Sequence, residues 1–195
     1  MGRAWLRTSK TQFVALGQLI NPASVSSLAL EIGADRLSES DYALACWDWI
    51  ARNISYSDKT TDVEITDGAL LCDSSCYTPA SVLSAGKANC YGASALLVSL
   101  LRNRFPPDRV SLVLGSMAVN GRGGHSWVEV SIGGVWYLME ATTRQLPVNP
   151  WIPAEAMSAV YIADAYISDA GISCRPGAKL CISITPCLPC ILEKL

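Results

Sequence analysis

Three residues in this chain, taken in order, could do chemistry together: a cysteine that opens an apolar helix, the chain's single histidine, and an acid one strand later. Cys90 follows the turn-forming stretch Gly86-Lys87-Ala88-Asn89 and precedes an apolar run of Ala95, Leu96, Leu97, Leu100 and Leu101. That pattern puts its sulfur at a helix N-terminus, where backbone N–H groups and the helix dipole favour a thiolate over a thiol. A thiolate attacks a carbonyl carbon near neutral pH when a neighbouring base takes or holds its proton, and His125 is the sole imidazole able to do so. Glu140 would accept the other ring N–H, fix the tautomer and stabilise the imidazolium. The tetrahedral oxyanion needs donors. The backbone N–H of Cys90 is one, and Tyr77 is the candidate for the second.

Taken singly, none of the three is informative. A cysteine in an apolar helix is usually a small buried hydrophobe, a histidine on a strand is usually a satisfied polar residue, and a hairpin glutamate is usually solvated. Their register changes that. Residues 125–132 alternate with period two, Gly133-Gly134 is a favoured two-residue hairpin turn, and residues 135–141 form the return strand. With that turn, Ile132 faces Val135, Trp127 faces Glu140 and His125 faces Thr142. His125 and Glu140 then share a face as diagonal neighbours, within the roughly 7–8 Å that an imidazole and a glutamate can close. The opposite face, with Val128, Val130, Ile132, Val135, Tyr137 and Met139, is a core face.

The elements that must hold these residues read as helices followed by a sheet. A leading arm, residues 1–37, has one short element at residues 13–20 and a helix through Leu28, Leu30 and Ile32 capped by Ser24 or Ser26 and stopped near Gly33. A clearer helix starts at Ser38, which has capping-box spacing with Asp41. Its apolar residues lie on two faces, Leu44, Trp47, Ile50, Ala51 and Ile54 on one and Tyr42, Cys46 and Trp49 on the other. The two tryptophans therefore read as core packing. Residues 53–68 read as a loop, residues 80–84 as a short helix, and the Cys90 helix runs until Phe105-Pro106-Pro107 stops it. Residues 110–114 form a strand. After a proline-punctuated stretch, residues 154–167 read as one more helix, with Pro153 suited to its first turn. The catalytic unit spans residues 38–170, and residues 171–195 form a cysteine-rich extension.

Composition narrows the classes. A chain of 195 residues that is 50% hydrophobic can bury a full core. A net charge of −2, with no basic stripe, argues against nucleic acid as the main partner. The N-terminus shows neither a signal-peptide pattern nor the roughly 18 apolar residues a membrane span needs, which points to a cytoplasmic protein without a membrane partner. Eight cysteines are many for that setting. Cys174, Cys181, Cys187 and Cys190 could supply four thiolates to a structural zinc, form a disulfide or redox pair, or remain plain thiols. Cys72 and Cys76 could pair with the tail or with each other.

The order Val82-Leu83, Gly86, Asn89-Cys90, Gly92, Ala95-Leu96-Leu97, Leu100-Leu101-Arg102, then His125-Ser126-Trp127-Val128-Glu129-Val130, then Trp136-Tyr137, Glu140 and Thr142, resembles the transglutaminase-like superfamily of papain-like thiol enzymes. Residues 49–56, from Trp49 to Tyr56, resemble the helix and tyrosine that precede this core in many members. The resemblance implies an α+β fold with a helical layer, the nucleophilic cysteine at a helix N-terminus, packed on an antiparallel sheet that carries histidine and acid. It implies Cys90 as nucleophile, His125 as base and Glu140 as third member, where the family usually has aspartate. It further implies acyl transfer from amide bonds of a protein or peptide through an acyl-thioenzyme, with no cofactor required. Hydrolysis is the first reading, since no D-x-D-x-D-G calcium loop is present. A cross-linking amine transferase and an inactive binding or scaffold module of the same fold are the alternatives.

Overall fold

The structure is a computed structural model, and it describes residues 12–57, 61–66, 69–72, 78–118, 123–142, 151–174 and 181–184. In chain order these form β1 (Gln12–Val14), α1 (Leu16–Leu19), α2 (Ser26–Ile32), α3 (Glu39–Asn53), β2 (Ser55–Tyr56), β3 (Thr61–Thr66), β4 (Ala69–Cys72), α4 (Pro79–Ala85), β5 (Lys87–Ala88) and α5 (Cys90–Leu101). There follow β6 (Val110–Met117), β7 (Gly123–Ile132), β8 (Val135–Met139), β9 (Ile152–Pro153), β10 (Tyr161–Ser168), β11 (Gly171–Cys174) and β12 (Cys181–Ile184). The fold is α+β, with a helical layer centred on α5 against a largely antiparallel sheet.

The sheet runs β1-β4-β3-β12-β7-β6-β10-β11, with β8 also paired to β7 and β9 to β8. Along one edge β7 carries β6; along the other it carries β8 from Val128 to Ile132 and then β12 at Gly124. Among the described residues, β12 is the one link between the β1-β4-β3 group and the strand that bears His125. The turn Gly133-Gly134 has φ of 60° and 82°. Both residues are left-handed, the conformation a type I′ hairpin requires and glycine adopts without steric cost. The expected pairing of Ile132 with Val135 holds through Val128 and Met139.

Every residue of α5 is buried. Leu96, Leu97, Leu100 and Leu101 pack into the main core with Leu112, Leu114, Val128, Val130 and Met139 from the sheet. Each such side chain contributes about 2 kcal/mol by leaving water. Polar contacts then set the helix in place. The Tyr42 hydroxyl of α3 donates to the Leu100 carbonyl at 2.7 Å, and Arg102 grips Asp169 through two hydrogen bonds of 2.6 and 2.7 Å. Arg109 likewise clasps Glu39 at 2.9 and 2.7 Å while also donating to the Ser131 carbonyl. The first turn of α3 is thereby tied to the end of β7.

Several expectations are corrected. Residues 154–167 do not form a helix: a 3-10 turn over Ala154–Met157 leads into β10, antiparallel to β6. A register shift between Ala163 and Ala165 breaks the alternation: Tyr161 packs in the small cluster with Trp127, whereas Ala165 and Ile167 pack in the main core, so the period-two signal of a strand is lost. Residues 53–68 are not a loop, since β2 and β3 lie there and Val63 and Ile65 point inward with period two. Strands therefore precede the helical layer as well as follow it. Residues 13–20 split into β1 and the short α1, and Asn21, not Ser24 or Ser26, supplies the cap before α2, to the 3-10 turn Pro22–Val25. Helix α3 buries one row, Tyr42, Cys46 and Ile50, and leaves Leu44 exposed; Val135 on the hairpin is exposed too. Leu19, Ile20, Val25 and Ala29, from the stretch read as an arm, lie in the main core, and β11 and β12, from the stretch read as an extension, pair into the sheet.

Gly115 lies opposite His125 in the β6–β7 register. A Cβ there would sit 2.1 Å from the Ile162 carbonyl oxygen and 2.8 Å from the Trp127 ring. Gly115→Ala is therefore expected to lower stability by about 1–3 kcal/mol in urea unfolding, the range of an overpacked core. Gly17→Ala, with nothing within 4 Å of the added carbon, should leave the midpoint unchanged or higher.

Candidate active site

The position of Cys90 is set by two successive caps. Thr78 caps α4 through its side chain, accepting from the Ser81 N–H at 3.3 Å, and Gly86 ends that helix in the left-handed conformation at φ 61°. Three residues later Asn89 begins α5: its side-chain oxygen accepts from the Gly92 N–H at 3.1 Å while its amide donates to the Thr61 hydroxyl at 2.7 Å. Thr61 pairs with Ile184 and Ile184 with Gly124. One backbone row thus runs from the cap of the cysteine helix to the residue before His125, and the two ends of the site are brought together by β12.

His125 and Glu140 meet as the hairpin register requires, with Nε2 and Oε2 2.6 Å apart. Both side chains are almost wholly buried, and Cys90 is inaccessible to solvent. The carboxylate has further partners. Oε1 accepts from the Thr142 hydroxyl at 2.7 Å and from its N–H at 3.2 Å, and Oε2 also accepts from the Tyr161 hydroxyl at 3.3 Å. Its backbone is held as well, because the Trp47 indole N–H on α3 donates to the Glu140 carbonyl at 2.7 Å. Two rings enclose the imidazole: Trp127 stacks at 6.1 Å between centroids and Tyr161 leans in at 6.0 Å. Those separations are within reach of the attraction between a cation and a ring face.

With Nε2 committed to Glu140, Nδ1 is the nitrogen left to face a reacting group. It is buried and makes no hydrogen bond of ordinary geometry among the described residues. Cys90 is nevertheless close enough to act on the ring. Burial pulls the His125 proton affinity down, but the charge of Glu140, the hydrogen bond His125 donates to it and the nearby Cys90 sulfur outweigh it, so the imidazole titrates well above its ordinary value. Burial pushes Glu140 up; the charge of His125 and hydrogen bonds from His125 and Thr142 outweigh that and hold it below the usual carboxylate range. Each member of the pair thus favours the charged form of the other, which lets the pair hold a proton beside the thiol. Cys46, by contrast, is pushed up to about 12 by burial and is a packing thiol.

Among the expected site residues, Cys90, His125 and Glu140 are brought together. Tyr77 lies outside the described residues, as do Cys76, Cys187 and Cys190, and so does the side chain of Cys181. Cys174 is exposed on β11, and Cys72 is buried with its sulfur 3.3 Å from the Tyr91 hydroxyl. Among the described residues no group of three or more His, Cys, Asp or Glu could hold a metal ion. Sequence reading missed Trp47, Trp127, Thr142 and Tyr161 as supports of the histidine–acid pair. Trp127 and Thr142 carry a signal, each two residues from a member of the pair on the same strand face. Trp47 and Tyr161 reach it from 93 and 21 residues away in the chain, and no local pattern marks them.

The sequence model of the transglutaminase-like superfamily matches residues 26–141, from the start of α2 to the residue after Glu140. No curated protein matches the chain significantly. Among solved structures, one titled a putative cysteine protease from Cytophaga hutchinsonii superposes with a TM-score of 0.52 at 17% identity. The match covers 86% of this chain and 48% of that one, so the chain spans about half the length of that structure. At this identity the likeness establishes a common fold.

Because the chain has one histidine, its imidazole can be followed alone by NMR. The raised value means that its stabilising contribution is fully present below the unfolded-state value of about 6.5 and is lost only as pH rises through the folded value. The lowered Glu140 value sets the other limit, its contribution being lost as pH falls through it. The wild-type ring is expected to stay protonated through pH 6.5, and in Glu140→Gln, with burial then less opposed, its titration should move to lower pH. Unchanged titration in that variant would show that Glu140 does not hold the proton.

Proposed function

The chain belongs to the transglutaminase-like superfamily, and from that premise we propose that it is a thiol-dependent acyl-transfer enzyme acting on amide bonds of a protein or peptide. Cys90 Sγ attacks the amide carbon, and its proton is held on His125 Nδ1. The carbonyl π electrons move to oxygen, where the Cys90 backbone N–H is the expected donor. Collapse of that intermediate expels the amine, which takes the proton from the imidazolium and leaves an acyl-thioenzyme. His125 then deprotonates water, the hydroxide attacks the thioester, and the acid leaves as the thiol is restored. Glu140 stays ionised throughout and holds the ring in place.

The observation that carries this reading is the 2.6 Å contact of His125 with Glu140, which leaves the other ring nitrogen without a partner among the described residues beside Cys90. A purely structural histidine buried to this extent would have both nitrogens satisfied. Hydrolysis is preferred to amine transfer on the same ground as above, the lack of a calcium-loop pattern. The scaffold alternative is weakened because the buried thiol lies within reach of the imidazole.

Iodoacetamide is expected to alkylate Cys90 ahead of the other buried thiols Cys46 and Cys72, with His125→Asn removing that preference. Equal, slow modification of all the cysteines, or a preference that survives His125→Asn, would overturn the reading. If a labelled primary amine is incorporated into a glutamine donor in a Cys90-dependent manner, the cross-linking alternative replaces hydrolysis. His125→Asn should lower Cys90-dependent turnover by about 10³-fold or more.

A further inference from the structure

The sheet face turned away from α5 carries an open groove of about 690 Å³ between the outer side of the strands and the 3-10 turn Ala154–Met157. Its floor is made by side chains that alternate with core residues, such as Glu129 between Val128 and Val130. Three carboxylates, Asp108, Glu129 and Glu155, line it, and no lysine, arginine or histidine does. Trp136 and Tyr166 stand in its walls at 40% and 36% exposure, unusual for side chains of their size in this structure.

The chemistry of the groove selects its occupant. Asp108 is partly offset by the neighbouring Arg109, but the lining itself holds no cation, and such a surface calls for a positive ligand. A metal ion is disfavoured by geometry, since these carboxylates do not converge into a group that could hold one. A planar cation suits spread carboxylates and aromatic walls better, because a guanidinium lies flat on a ring and offers paired N–H donors to a carboxylate. Glu129 has the capacity: one oxygen accepts from the Trp127 indole at 3.1 Å, and it makes no other hydrogen bond among the described residues. The same chain already uses this arrangement internally, where Arg109 lies 5.3 Å over the Phe105 ring while clasping Glu39.

We propose that this groove is a docking site for an arginine side chain of the polypeptide substrate, with the guanidinium paired to Glu129 and its plane against the aromatic walls. The substrate assignment rests on the acyl-transfer reading; the arginine site itself does not. The groove is one side chain removed from the candidate active site. Trp127 bonds Glu129 and stacks on His125, and Tyr161 lines the groove and donates to Glu140.

The test uses the full chain carrying Cys90→Ala, so that binding is read without thiol chemistry. The probes are acetyl-Gly-Arg-Gly-amide and its citrulline counterpart, which keeps the shape of the side chain and lacks its charge. The arginine peptide should shift the Trp136 indole N–H resonance saturably in the millimolar range, and added salt should weaken it. Glu129→Gln, which keeps an acceptor for Trp127 and is read on the Trp136 indole, and Trp136→Ala, read on the Trp127 indole N–H beside Glu129, should each weaken binding by about fivefold or more. Equal binding of the citrulline peptide, no saturable shift, or indifference to both substitutions would overturn the site. With the active chain, attaching arginine to a turned-over peptide should lower KM in a Glu129-dependent way; arginine binding without that effect would keep the site and remove its link to substrate.

Discussion

A carboxylate and an imidazole, both taken out of water and held 2.6 Å apart, impose the main constraint on this structure. A buried charge is tolerated only when paired and hydrogen-bonded, and removing one partner of such a pair typically costs about 3–5 kcal/mol. Each remaining acceptor position of Glu140 is accordingly filled. Thr142 supplies two donors to one oxygen, Tyr161 adds one to the other, and Trp47 secures the backbone carbonyl. These come from the hairpin, from β10 and from α3, so the pair also joins the sheet to the helical layer.

The nucleophile side is built differently, from caps and burial. Helix α5 has no polar face to orient it, being buried on all sides, so its rotation and start must come from specific bonds at its ends. Asn89 performs that role at the N-terminus by bonding forward into the helix and sideways to Thr61. Arg102 performs it at the other end through Asp169. Besides the direct packing of α5 on β7, the short β12 joins Thr61 to the strand of His125, so the placement of sulfur and imidazole also draws on residues more than fifty positions downstream of His125.

The face of the sheet away from α5 is not inert backing. Trp127 and Tyr161 form a small second core with Val113, Met117 and Leu138, and both also touch the imidazole. The tightness of that layer explains the glycine at position 115, where Trp127 and the β10 backbone leave no room for a side chain. Burial raises the proton affinity of Glu129 at the edge of this layer, while the Trp127 indole lowers it. The rigid aromatic layer therefore connects the outer groove to the histidine–acid pair.

The amino-acid sequence by itself determined what is local or periodic. The Gly133-Gly134 turn dictates the hairpin register, and period two then puts His125 and Glu140 on one face; the Ser38 cap and the apolar run after Cys90 likewise define α3 and α5. It could not disclose what depends on strands meeting across long separations. The bulge in β10 hid a strand by breaking its alternation, β3 passed for a loop because only two of its residues are large and apolar, and β12 has no signal outside its partners. Trp47 and Tyr161 support Glu140 because the folded chain brings them there, and a hydrogen bond across 93 residues leaves no periodic trace in sequence. Local conformational preference is written in neighbouring residues, whereas the satisfaction of buried polar groups is decided only when distant segments pack.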